Sequence, residues 1–294
     1  MARPSSYRSI LYVPADKPRA MAKVLDSPDG LGADGVIFDL EDAVAPPHKA
    51  GAREALRRAL AGLRPATRIL VRINPLDSAW GAEDFLAVLS MAPDGIVLPK
   101  VDSAAEIKAA LSACEASDAH ASIRLWAMIE SPLAVLNSAA IAAMAKADDA
   151  RLEALMLGTN DLALITGTPL IEGRQAYLPW IMQCLAAARA HGVALVDGVY
   201  TDLRNEQGFR SECEQGAALG LDGKSLIHPD QIAICTAAFT PAEQDILEAE
   251  AICRAFADPQ NSGKAVLTVN NKMVEFLHLK AARRTLMKAG LLDD

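Results

Sequence analysis

The sequence predicts an α/β chain folded as a closed (β/α)8 TIM barrel with a C-terminal helical extension. Three observations carry that expectation. Eight short apolar runs recur roughly 30 residues apart, the length of one strand plus one helix. Ala-rich stretches with helical periodicity fill the intervals. Each run also leads into polar or charged residues, as the strand ends at a barrel mouth do. An open, doubly wound sheet has the same alternation and differs only in strand count, so the eight repeats favour closure.

The runs are 9–14, 35–40, 68–73, 95–100, 124–129, 153–158, 193–198 and 224–228. They are apolar on successive rather than alternate residues, the pattern of a strand buried on both faces. In the fifth, Leu125-Trp-Ala-Met-Ile runs into Glu130, and Pro132 then forbids further ladder pairing. Helices are expected over 48–63, 103–114, 131–146 and 180–191. After the eighth run come a helix over 241–257, a loop at 258–263, an extended piece at 266–269 and a last helix over 276–289. Residues 1–240 therefore read as the barrel. Residues 241–294 read as an extension able to cover a barrel mouth, that of a neighbouring subunit included.

The 294-residue chain is 51% hydrophobic, enough for a large core. No apolar run approaches the roughly 18 residues needed to span a membrane. The start lacks the apolar core of a secretory signal. The five cysteines are widely spaced, with no Cys-x-x-Cys, and read as reduced thiols of a cytoplasmic protein. A net charge of −8 argues against nucleic-acid binding and requires a local basic patch for any anionic substrate.

The residues at the run ends include Asp16, Asp39, Glu41, Asp42, Arg72, Asn74, Lys100, Glu130, Asn160, Asp161, Asp197 and His228. Asp16, Asp42 and Asp102 have a simpler reading as helix caps. Arg72 has one as an ion-pair partner of Asp39 or Glu41. Capping does not suit Arg72 or Lys100, because a cation at a helix N-terminus opposes the dipole. Glu130 and Asp161 together offer two carboxylates, which with waters and a chelating substrate make a normal Mg²⁺ shell. Arg72 adds a planar fork for a carboxylate. Metal and arginine in one pocket suit an α-keto or α-hydroxy acid, and a Lewis acid there favours making or breaking the adjacent C–C bond.

Six segments carry a more specific likeness: Arg8-Ser-Ile-Leu-Tyr-Val-Pro14, Phe38-Asp-Leu-Glu-Asp-Ala-Val44, Val71-Arg-Ile-Asn74, Val97-Leu-Pro-Lys100, Ile129-Glu-Ser131 and Asp222-Gly-Lys-Ser-Leu-Ile-His-Pro-Asp-Gln-Ile232. In this order, over about residues 7–290, the chain resembles the citrate lyase beta subunit family of the HpcH/HpaI aldolase/citrate lyase superfamily, which includes malyl-CoA and citramalyl-CoA lyases. The resemblance implies a Mg²⁺-dependent barrel lyase that cleaves a citryl-, malyl- or citramalyl-CoA-type thioester to acetyl-CoA and a 2-keto acid (oxaloacetate, glyoxylate or pyruvate). It implies that Glu130 and Asp161 hold the metal and that Arg72 binds the keto-acid carboxylate. It places Tyr12, Arg19 and Lys23 where CoA is contacted, with Ile227 and His228 on the same side. It also implies that Glu275 acts as acid/base from a neighbouring subunit, in a homotrimer or a multiple of one. Three positions depart from the family pattern. Gly158-Thr-Asn-Asp161 has Asn where an acid is usual. Lys272-Met-Val-Glu275 ends in Glu where Asp is usual, and Leu277 replaces a proline.

Three other classes compete with the lyase. A malyl-CoA-type thioesterase would use the same site with a placed water. A lyase-complex subunit without activity would not need Arg72, Glu130 and Asp161 together. A class II aldolase of free keto acids would not need the motif at 223–232.

Overall fold

Eight parallel strands pair in chain order and close on themselves: β1 (Ser9–Pro14), β2 (Gly35–Asp39), β3 (Arg68–Arg72), β4 (Gly95–Leu98), β5 (Arg124–Ile129), β6 (Leu152–Leu157), β7 (Ala194–Asp197) and β8 (Gly223–Leu226). The computed structural model describes residues 6–292 other than 63 and 148. The first five residues, read above as part of the N-terminal stretch, and position 63, the expected end of one helix, lie outside the described residues.

The helices of the barrel are α1 (Pro18–Leu25), α2 (Lys49–Leu60), α3 (Gly81–Met91), α4 (Ala104–Ala116), α5 (Pro132–Ala143), α6 (Thr159–Thr166), α7 (Leu178–His191), α8 (Glu206–Leu219) and α9 (Gln231–Phe239). Two of them, α6 and α7, lie between β6 and β7 and account for the longest interval in the repeat. Local chemistry sets their starts. Ser131 accepts from the Ala134 N–H at 2.9 Å, with Pro132 in the first turn of α5. Ser103 and Glu106 form a capping box on α4.

Alternation along each strand divides two cores. Ile10, Ile37, Leu70, Val97, Trp126, Met128, Ala154, Met156 and Val196 fill the barrel interior. Their neighbours, such as Leu11, Val36, Ile69, Ile96 and Leu125, pack outward under the helices. Burial on both faces is why the runs read as continuous. At the floor, Glu153 accepts from Trp126 Nε1 at 2.8 Å and pairs with Arg68 at 2.7 Å, which closes the interior from below.

Strand 124–129 agrees with its expected range, whereas 95–100 ends early, at Leu98. Pro99 and Lys100 leave the ladder, and Lys100 takes a left-handed φ of 53°.

The extension comprises α10 (Glu243–Ala257), an antiparallel hairpin of β9 (Val266–Val269) and β10 (Lys272–Glu275), and α11 (Phe276–Lys288). Asn270 and Asn271 turn the hairpin with φ of 48° and 60°, the left-handed pair that a two-residue hairpin turn requires. Ala249, Ile252, Leu267, Val274, Ala282 and Leu286 form its own small core. Its last turns dock at the N-terminal end of the strands: Lys288 Nζ donates to Leu221 O at 2.6 Å and lies 3.8 Å from Asp222. The extension is thus tied by its C-terminal end to the floor of its own barrel, opposite the mouth. Among the described residues, no helix is long and apolar enough to cross a membrane.

Candidate active site

Period-two alternation lifts four polar side chains to the top inner layer of the barrel. Tyr12 follows Ile10, Asp39 follows Ile37, Arg72 follows Leu70, and Glu130 follows Met128. Asp39 and Arg72 are register partners on adjacent strands, so they meet side by side. Arg72 Nε and Nη2 donate to the two Asp39 oxygens at 2.7 and 2.6 Å, while Nη1 stands 3.0 Å from Glu41. The fork expected to take a substrate carboxylate is therefore taken by Asp39. That pairing is the structural alternative named for Arg72, and strand register is its cause.

Beneath the guanidinium, 4.8 Å away, lies the Tyr12 ring. The Tyr12 hydroxyl donates to Met156 Sδ at 3.2 Å, and burial pushes its phenol far above the usual range. Asp39 also accepts the Glu41 and Ala43 N–H groups, at 2.9 and 3.1 Å. Lys49 Nζ fixes the turn from below by donating to Leu40 O, Glu41 O and Asn74 Oδ1.

Glu130 is 2% exposed, and its Oε1 accepts the Lys100 N–H at 2.6 Å. Burial, reinforced by the charge of Glu41, pushes its carboxyl up to about 8. Asp161 lies in the first turn of α6, where the helix dipole favours an acid. Burial and then the Asp42 charge still raise its carboxyl above the usual range.

A cavity of about 370 Å³ opens here, lined by residues including Tyr12, Asp42, Arg72, Asn160, Asp161 and Ile227. Glu130 packs against Gly158 in its wall. A larger cavity of about 1160 Å³ lies between α1 and α2, but it holds no pair of carboxylates and lies outside the strand ends. The site is therefore assigned by chemistry and not by size. Other expected contacts do not line the mouth cavity. Arg19 and Lys23 stand on the exposed side of α1, and His228 is exposed, accepting the Asp230 N–H at 3.2 Å. Glu275 is exposed on the extension, in a capping box with His278.

Asp197, placed at the mouth by its strand-end position, is instead wholly buried. It pairs with Arg174 at 2.8 Å and Lys224 at 3.2 Å, and Lys224 also reaches Glu212 at 2.7 Å. No sequence signal marked Arg174, a loop residue 23 positions from its partner. Lys224 stood unremarked within the 222–232 segment. Gly158, whose missing side chain leaves room for Glu130, is a further position of the candidate site that sequence reading did not single out. A glycine between an apolar run and Asn160-Asp161 was its only signal.

The charge balance fits a cation. Among the described residues, the cations paired with Asp39, Glu41, Asp42, Glu130 and Asp161 are Arg72 and Lys100. Both Glu41 oxygens are buried without a well-directed hydrogen bond, although Arg72 and Lys100 approach to 3.0 and 3.1 Å. Among the described residues, no three His, Cys, Asp or Glu converge as a ready-made metal cage. Mg²⁺ does not require one, because it keeps waters and uses one or two carboxylates.

Over residues 8–229 the sequence matches the HpcH/HpaI aldolase/citrate lyase family. The chain belongs to that family. It is 42% identical to a (3S)-malyl-CoA thioesterase of Cereibacter sphaeroides over 284 residues, 96% of this chain and 94% of the relative. It is 33% identical to the citrate lyase subunit beta of Haemophilus influenzae over 295 residues, 98% and 99% of the two chains. Its fold is similar to that of CitE from Mycobacterium tuberculosis, solved with magnesium, acetoacetate and coenzyme A. The TM-score is 0.71 at 30% identity, covering 97% of this chain and 98% of that one. The family assignment agrees with the resemblance read from the motifs, and the closed barrel agrees with the expected fold.

Proposed function

We propose that this family member is a Mg²⁺-dependent enzyme that cleaves the C–C bond of a malyl-, citramalyl- or citryl-CoA-type thioester, giving acetyl-CoA and a 2-keto acid. The observation that supports this most is that Arg72 and Asp161 line one cavity at the strand ends while Glu130 packs against Gly158 in its wall, close enough to feel the charges of both. Glu130 and Asp161 would hold Mg²⁺, which when bound supplies Lewis-acid stabilisation to the substrate oxygens. Arg72 keeps Asp39 and meets the substrate carboxylate with its remaining N–H groups. The exposed cations Arg19 and Lys23 suit the phosphates of CoA in this reading, with the exposed Ile227 and His228 as further contacts. In cleavage the hydroxyl loses its proton and becomes the keto group. The C–C electron pair passes to the acetyl-CoA enolate, which an acid then protonates at carbon.

That acid is Glu275 of a neighbouring copy in this reading. Its own barrel mouth lies on the opposite side from where the extension docks. Met273, Phe276 and Leu277 around it are exposed, Leu277 to 72%, and Leu133, Leu136 and Leu164 are exposed on the helices after β5 and β6. Apolar rims on both surfaces suit a homo-oligomer, with a trimer or a multiple of three as its expected size.

A second reading, thioester hydrolysis, is favoured by the 42% identity with the (3S)-malyl-CoA thioesterase. One assay separates the two. Incubation with Mg²⁺ and (3S)-malyl-CoA, analysed by mass, yields acetyl-CoA and glyoxylate from a lyase, or malate and free CoA from a hydrolase. Absence of turnover on malyl-, citramalyl- and citryl-CoA alike would remove both readings.

A further inference from the structure

Lys100 stands where a glycine would be the easier choice. Its φ of 53° lies in the left-handed region, where a side chain is strained and glycine is not. Two contacts occupy it there. Its N–H holds Glu130 Oε1 at 2.6 Å, and its Nζ, on a side chain 51% exposed, reaches 3.1 Å from the buried Glu41 Oε1. A glycine would preserve the first contact. Only a cation makes the second, so the strained backbone is maintained for the ammonium.

We propose that Lys100 is a resident counter-cation of the barrel mouth: it neutralises Glu41 in the metal-free protein and sets, by repulsion, how tightly the adjacent carboxylates hold a divalent cation. It is a positioning residue, acting through Glu41 and Glu130. The inference rests on the divalent-cation reading of the site and goes beyond it, because it assigns the affinity of the site to a residue that is not a ligand. A unit charge several ångströms from a divalent ion in a solvated mouth corresponds to about a five- to tenfold change in affinity. The effect should fade with added salt.

The test is calorimetric titration of the full-length protein with Mg²⁺ alone, at pH 9 and low ionic strength, with no CoA ester present. Lys100→Met and Lys100→Gly should each bind Mg²⁺ about five- to tenfold more tightly than wild type, while Lys100→Arg stays within about twofold. Saturating Mg²⁺ should raise the melting temperature of Lys100→Met by more than it raises that of wild type, because Glu41 has lost its partner in the metal-free state. Equal or weaker binding by both neutral variants overturns the inference, and so does an arginine variant that behaves like the methionine one. Wild-type protein that binds no Mg²⁺ overturns the metal reading itself and this inference with it. Wild-type binding without a gain in Lys100→Met overturns this inference alone.

Discussion

A Cβ added at Gly158 would sit 2.3 Å from Glu130 Cβ and 2.7 Å from Glu130 Oε2. The φ of Gly158, −103°, is open to any residue, so space and not backbone conformation requires the glycine. Glu130 Cβ is fixed to the end of β5 and cannot swing aside. Gly158→Ala should therefore fold with a loss of about 1–3 kcal/mol and displace the Glu130 carboxylate. The expected result is at least tenfold weaker Mg²⁺ binding by calorimetry. Unchanged affinity in a folded variant would mean that Glu130 is not a ligand.

Glu130 also predicts how stability depends on pH without metal. Its folded carboxyl titrates at about 8, against an ordinary value of 4.5, so the folded state holds its proton more tightly than the unfolded chain does. The associated stability is complete below pH 4.5 and is lost as pH rises from there through about 8. Glu130→Gln removes this dependence. In chelator, the variant should match wild type near pH 5 and exceed it above pH 8 by on the order of a few kcal/mol, read from urea midpoints. Parallel pH profiles would contradict the raised carboxyl. With Mg²⁺ added at pH 9 the order should reverse, because only wild type has the ligand.

The Arg72 fork is taken by Asp39. Removing one partner of a buried pair strands the other, at a typical cost of about 3–5 kcal/mol, so Arg72→Ala should be strongly destabilised. Arg72→Lys keeps the charge and loses the fork. It should melt lower and raise the KM for the keto acid in the condensation direction, with the KM for acetyl-CoA nearly unchanged. Equal effects on both substrates would make Arg72 purely structural or a CoA contact.

The barrel was legible because its strands are buried twice, which leaves apolar runs at a regular interval that no other arrangement explains as simply. The polar strand ends were legible for the same reason: period two carries Trp126 and Met128 on to Glu130 in plain sequence. What depends on neighbours in space was not. The Asp39–Arg72 pairing needs the β2–β3 register, which a single run does not contain. Arg174 closes over Asp197 from a loop with no periodic signal. The direction in which the extension departs was also hidden, because α11 docks through Lys288 on Leu221, 67 residues away in the chain, and beside Asp222.

That docking makes the last prediction. Glu275 caps α11, whose other end docks at the floor of the barrel, so the acid/base role proposed for it is expected at the mouth of another copy. Its side chain already serves as a helix cap with His278, and Glu275→Gln keeps a capping acceptor while removing the proton donor. The variant should therefore fold and assemble as wild type, yet lose roughly 100-fold or more in turnover. On the proposed shared site, Arg72→Lys subunits lack a different part from Glu275→Gln subunits. Mixing the two after verified subunit exchange produces mouths that combine an intact Arg72 with an intact Glu275 from the neighbour, so part of the activity should return. Recovery that scales with the fraction of hybrid oligomers places Glu275 in trans. Exchange without recovery assigns it to its own subunit or removes it from the chemistry, and a protein that remains monomeric by light scattering at assay concentration excludes the shared site outright.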